Sequence, residues 1–213
     1  MQVFFSRTQN QDLFLMACKS GNLIQVEISL KELKNEGEFY FHKFQEDQGQ
    51  NCLHLATING HLEVMKYLQT NLDSRIFTLA LDAKTKNGMI YGQPLTVLEM
   101  ASYHGHLEIC KWLLSVDNFL LLNFELHSAA SNGHLDVVKF FVSKGVDINV
   151  LSVDSGTTVL MDAVLGNHLE ICKFLISQNC DLNIQSRNEN VTALDIAKFN
   201  GHQEIITHLE QIM

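Results

Sequence analysis

Apolar residues along the chain fall at helical spacing in short runs, and each run stops at a polar turn before a second run begins. The clearest copy is SNGHLDVVKFFVSKGVDIN, from Ser131, where Leu135, Val137 and Phe141 follow an Asn-Gly-His turn. The arrangement returns as NGHLEVMKYL from Asn59, HGHLEICKWLL from His104, GNHLEICKFLISQNCDLN from Gly166 and NGHQEIITHL from Asn200, with a weaker copy, SGNLIQVEISL, from Ser20. A short apolar helix start lies upstream of each turn, beginning at Asp12, Asn51, Thr96, Phe124, Thr158 and Thr192. The pattern predicts six helix-turn-helix units that bury their apolar faces only by stacking in a row.

Two of the starts, Asn51-Cys52-Leu53-His54-Leu55-Ala56 and Thr192-Ala193-Leu194-Asp195-Ile196-Ala197, approach the pattern T-P-L-H-x-A. With the repeated Gly-His turn, they make the chain resemble the ankyrin-repeat family from about residue 12 to 213. The resemblance implies an all-α solenoid of stacked helix-turn-helix units with short β-hairpin fingers, forming a single domain over residues 1–213. Val97, Val159 and Ala193 stand where the family usually has proline. Proline at the first helical position is favourable but dispensable, so the fold expectation holds.

Local signals refine the picture. Asp12 is placed as the cap of the first helix, Gly21 as its end, and residues 23–34 as the second helix. Phe39, Tyr40, Phe41 and Phe44 are too apolar for a solvated linker and are expected to close the open end of the stack. An enlarged insert spans about residues 70–95. Its Asn87-Gly88 pair signals a hairpin with Leu79–Thr85 and Met89–Leu95 as arms, hence an enlarged β-finger. Thr96 and Glu99 have the spacing of a capping box. Unit four starts early, with Asn123 expected to cap in place of Phe124 and a stunted finger before it. Asp154, Ser155, Asn188 and Glu189 fall at the next two finger tips. Gly60, Gly105, Gly133 and Gly201, with Asn167 in unit five, sit where the chain must reverse in the left-handed conformation. The resemblance makes the following histidines, His61, His106, His134, His168 and His202, structural. Tyr67, Trp112, Phe140 and Phe174 share one repeat position, expected to pack between repeats.

Composition narrows the function. Hydrophobic content of 46% supports a continuous core, and no apolar run is long enough to span a membrane. A net charge of −9 argues against a nucleic-acid partner. There is no secretory leader pattern at the N-terminus, and the five cysteines fit a reducing compartment, so a cytoplasmic location is expected, or delivery into a host cell if the source is microbial. Cys110 and Cys172 hold the same place two repeats apart and are expected to remain thiols.

Little in the sequence carries chemistry. Cys52, Cys110 and Cys172 occupy packing positions. His104 and His106 form an H-x-H pair whose rings are expected to diverge at a helix end, and no CxxC or HExxH spacing adds ligands. No catalytic, metal or cofactor residues are assigned.

The expected function is that of a non-enzymatic, monomeric module that binds another protein through a concave groove and its fingers. The resemblance places partner contacts at the two residues before each turn. The candidates are Tyr103, His104, Ser131, Asn132, Leu165, Phe199 and Asn200, joined by Met89, Ile90 and Tyr91 of the insert. Asn149 and Asn183, in VDIN and CDLN, resemble finger asparagines that hydroxylases modify in the family. The competing reading is that Asp147, Asn149, Asp181 and Asn183 brace the fingers through local bonds. The alternative function is an effector or regulatory protein with catalytic or modifying activity around units two to four.

Overall fold

The computed structural model describes residues 9–37, 45, 49–86, 94–116, 123–153 and 155–212. Thirteen α-helices lie among them. Contacts divide the chain into two compact units, residues 1–101 and 102–213.

The first unit opens with α1 (Gln9–Ser20) and α2 (Leu23–Asn35), followed by α3 (Cys52–Ile58), α4 (Leu62–Asn71) and α5 (Ser74–Leu81), and it ends within α6 (Val97–Tyr103). Helix α1 packs on α2 and α3, α2 on α4, and α3 on α4. Phe14, Leu15, Val26, Leu30, Leu53, Met65 and Leu68 form its buried core. Helix α1 begins before Asp12, which therefore lies inside the first turn and complements the helix dipole instead of capping it. Gly21 ends the helix at φ 72°, and Asn22 caps α2 by accepting from the Gln25 N–H.

The insert departs from the sequence expectation. Residues 79–81, the start of the proposed hairpin arm, belong instead to helix α5. Asp73 caps α5 through the Arg75 N–H at 3.0 Å. Phe77, Ala80 and Leu81 recur at helical spacing and are buried, with α5 against α3 and α4. A strand would have put alternate side chains of this segment into water instead of gathering Phe77, Ala80 and Leu81 on one buried face, so tertiary burial overrides the nearby Asn-Gly signal. A closed base survives: Thr85 donates its N–H to the Leu95 carbonyl at 3.1 Å, and the Leu95 N–H donates to Thr85 Oγ1 at 2.9 Å. Asn87, Gly88 and Met89–Tyr91 lie outside the described residues, as do Phe39, Tyr40, Phe41, Phe44, Asp154 and most of the segment between units three and four.

The second unit holds α7 (Leu107–Val116), α8 (Phe124–Ser131), α9 (Leu135–Ser143), α10 (Val159–Leu165), α11 (Leu169–Ser177), α12 (Ala193–Asn200) and α13 (Gln203–Glu210). Helices α8, α10 and α12 pack in sequence as an inner layer, and α7, α9, α11 and α13 pack in sequence as an outer one. Val137, Val138, Phe141, Ile171, Cys172 and Leu175 fill the space between them. Leu135, one of the apolar positions of the repeat, is only half-buried because it opens its helix at the turn, and Leu62 is half-buried at the same place in its own unit.

Helix starts use related chemistry. Thr96 and Glu99 form the expected capping box, with the Thr96 N–H donating to Glu99 Oε2 at 2.6 Å, and Asn51, Thr158 and Thr192 cap in the same way. Asn123 makes no side-chain cap bond: at φ −14° and ψ −17° it lacks the extended conformation that aims a cap side chain at the helix. The fingers are tight turns, with one isolated bridge between Leu151 and Thr158 among the described residues. Neighbouring fingers are joined by the Arg187 N–H donating to the Gly156 carbonyl at 2.8 Å and Asn188 Nδ2 donating to the Ser155 carbonyl at 3.1 Å.

Candidate functional site

The turns set the geometry of the inner face. Gly133 has φ 82°, and its missing side chain leaves room for an imidazole: a Cβ there would lie 2.7 Å from Cε1 of His168. His168 Nε2 in turn donates to the Ser131 carbonyl at 3.1 Å. His134 bonds the Tyr103 carbonyl in the same way at 2.7 Å, and in the first unit His61 bonds the Lys19 carbonyl at 3.0 Å. Each of these imidazoles lies over the left-handed residue of the preceding turn and staples the carbonyl two positions before it. His61, His134 and His168 are thus used structurally. They hold Tyr103, Ser131 and their counterparts at equivalent helix ends.

The last staple is missing. By the same register His202 should reach the Leu165 carbonyl, yet its buried Nε2 has no hydrogen-bond partner. The left-handed residue here is Asn167, at φ 57°. At the stapled turns that residue is Gly21, Gly105 or Gly133, where a Cβ would lie within 3 Å of the imidazole, so the side chain of Asn167 is the expected obstacle to the bond. Asn167→Gly should remove the left-handed strain and allow His202 to donate. An unsatisfied buried donor costs ~1–3 kcal/mol, and the added chain entropy of glycine offsets up to ~1 kcal/mol. We expect a net gain of about 1 kcal/mol, read as a melting temperature higher by ~2–4 °C; an unchanged or lower value would refute this account of the turn.

At this unstapled junction a groove of ≈ 650 Å³ opens between the inner ends of α10 and α12 and the facing fingers. Its apolar lining is Leu165, Val191, Ile196 and Phe199. Phe199 is 93% exposed and Leu165 51%, so neither folds back onto its own finger. Ser155, Thr157, Glu189 and Asp195 supply polar edges. The Asp195 carboxyl is held below its ordinary range, chiefly by the hydrogen bonds from Thr192 at the α12 cap. From the edge inward, Thr157 Oγ1 donates to Asp162 Oδ1 at 2.6 Å, and Asp162 Oδ2 lies 2.6 Å from Nδ1 of the buried His127. Val191, Ile196 and Asp195 escaped the sequence reading, which took the two residues before each turn and overlooked what faces them.

Other candidates are more committed. Tyr103 is half-buried and meets the His104 ring edge-on at 5.1 Å. The rings of His104 and His106, expected to diverge, are stacked at 6.1 Å and 19° because the left-handed turn at Gly105 folds the chain back between them. Burial lowers the pKa of His104, and His106 and His134 add to the shift. Asn132 Nδ2 donates to the Ser128 carbonyl and Asn200 Nδ2 to the Ile196 carbonyl, so both close their helices. Asp147 and Asp181 each accept the N–H two residues on, from Asn149 and Asn183, at 2.9 Å. Asn149 Oδ1 also accepts the Asp181 N–H at 2.8 Å, whereas Asn183 is exposed.

Nothing here activates a thiol. All five cysteines are free and buried, and burial pushes Cys52, Cys110 and Cys172 up to about 12 and Cys180 to about 11. Nucleophilic cysteines have the opposite shift. Among the described residues no group of three or more His, Cys, Asp or Glu is arranged to hold a metal ion, and no helix is long and apolar enough to cross a membrane.

Paired helices with inner and outer layers, finger turns and a groove at the inner helix ends define a helical-repeat protein. The sequence models of the ankyrin repeats match residues 69–151 and 126–211, and a single-repeat model matches residues 48–74. The chain belongs to the ankyrin-repeat family, and its fold is the all-α ankyrin solenoid. No curated protein matches the chain. Among solved structures, the ankyrin repeat domain of Bcl-3, a unique member of the IkappaB protein family, aligns at a TM-score of 0.67 and 22% identity, over 93% of this chain and 85% of that one. Ankyrin repeats serve as protein-interaction modules.

Proposed function

We infer that the protein binds a partner protein through the groove between repeats five and six, as one ankyrin domain over residues 1–213, in the cytoplasm and without catalysis. The observation that carries this reading is Phe199, an aromatic ring 93% exposed beside a half-exposed Leu165 over an apolar floor. Exposed aromatic anchors in a concave, preformed site are the residues that dominate interface energy. The buried, high-pKa thiols favour this reading over the alternative of a modifying activity around repeats two to four.

The double variant Leu165→Ala/Phe199→Ala tests it. Both side chains are exposed, so folding stability should change by less than ~0.5 kcal/mol, while partner capture from a lysate of the source cells should fall at least tenfold. Undiminished capture at an unchanged melting temperature would exclude the groove.

A further inference from the structure

The groove has a charge character that its apolar floor conceals. Its ionisable lining residues are Glu189 and Asp195, and no lysine, arginine or histidine lines it among the described residues. The nearest base in α12, Lys198, is turned to Glu210, which it meets at 2.8 Å. Both bonds from Thr192 go to Oδ2 of Asp195, so the cap engages one carboxylate oxygen. The open face of Phe199 stands four residues along the same helix, and an aromatic face attracts a cation by its quadrupole. The surrounding field has the same sign, with a net charge of −9 on the chain. That field speeds the encounter of cationic partners and slows that of anionic ones.

Resting on the groove reading above, we propose that the occupant is a short basic segment of the partner protein: one bulky apolar side chain seated against Leu165, Val191 and Ile196, with lysine or arginine beside it paired to Glu189 and Asp195 and stacked on Phe199. An acidic segment would bring like charges together over a low-dielectric floor, which opposes its binding.

The test uses the full chain and a random-peptide phage library panned at low salt, with recovered peptides resynthesised with a fluorophore for anisotropy titration. The expected peptides carry an apolar anchor flanked by lysine or arginine. Their affinity should fall about tenfold in Phe199→Ala and about as much in Glu189→Lys, and it should weaken as salt rises. Glu189 is exposed at a finger tip, so its variant should keep the fold. Peptides that are neutral or acidic but still need Phe199 would overturn the basic-segment proposal and leave the groove reading standing. Basic peptides whose affinity is indifferent to Phe199→Ala would overturn both. Recovery of no peptide, or of sequences matching this chain and accompanied by concentration-dependent dimerisation, would overturn the proposal as well.

Discussion

Gly133→Ala is expected to lower the stability of the protein by about 3 kcal/mol, and Gly145→Ala by about half as much. Both glycines are left-handed, at φ 82° and φ 84°. An alanine in that conformation costs ~1–2 kcal/mol. The two differ in what a new Cβ would meet. At Gly145 nothing lies within 4 Å, whereas at Gly133 two ring atoms of His168 lie at 2.7 and 2.8 Å. The imidazole would have to move, breaking its bond to the Ser131 carbonyl at 3.1 Å and adding an overpacking cost of ~1–3 kcal/mol. Urea denaturation of the two variants side by side checks this. Equal losses would show that the glycine serves backbone conformation alone and that the imidazole staple does not hold the repeats. A larger loss at Gly133 would mean that the Gly-His pair joins consecutive repeats, with the histidine of one turn covering the glycine of the one before.

Acid should destabilise the first unit through His54, by about 3 kcal/mol between pH 6.5 and pH 4. His54 is fully buried, with Nδ1 accepting the Asn51 N–H at 3.3 Å and Nε2 donating to the Leu95 carbonyl at 3.3 Å. Burial lowers its pKa from 6.5 to about 4. A histidine with a depressed folded pKa is neutral in both states above pH 6.5, so its contribution to stability is fully present there. Below pH 6.5 the unfolded chain takes up a proton that the native protein refuses until about pH 4, and stability falls by ~1.4 kcal/mol per pH unit across that window. His104, with its lowered pKa, acts in the same direction. The informative quantity is therefore the difference between the wild type and His54→Gln. Glutamine at this position can still accept from the Asn51 N–H in a capping box but does not titrate. The variant should lose some stability at pH 7, yet its free energy of unfolding should decline less steeply from pH 6.5 to 4. Parallel slopes would rule out His54 as the source.

Much of the architecture was legible in the order of residues. Six copies of a helix start and turn placed the helix pairs, the glycines placed the reversals, and Thr96 with Glu99 announced a cap that the structure contains. These are local signals, settled by φ preference and by bonds between residues three or four apart. Where distant surfaces compete, the reading went astray. The segment 74–81 joined a helix because α3 and α4 offered a surface to cover. The rings of His104 and His106 came together because a left-handed glycine separates them.

Sequence alone determined the repeat, the reversal at each turn, and which position in every copy would lie at the inner helix end. Tertiary structure decided what that position became. Tyr103, Ser131, Leu165 and Phe199 hold equivalent places, yet the first two carry carbonyls bound by the next imidazole, while Leu165 and Phe199 border an open groove. A residue's exposure is set by the atoms of its neighbours in space, and at this junction, where asparagine stands in place of glycine, the histidine bond is absent and the groove is open.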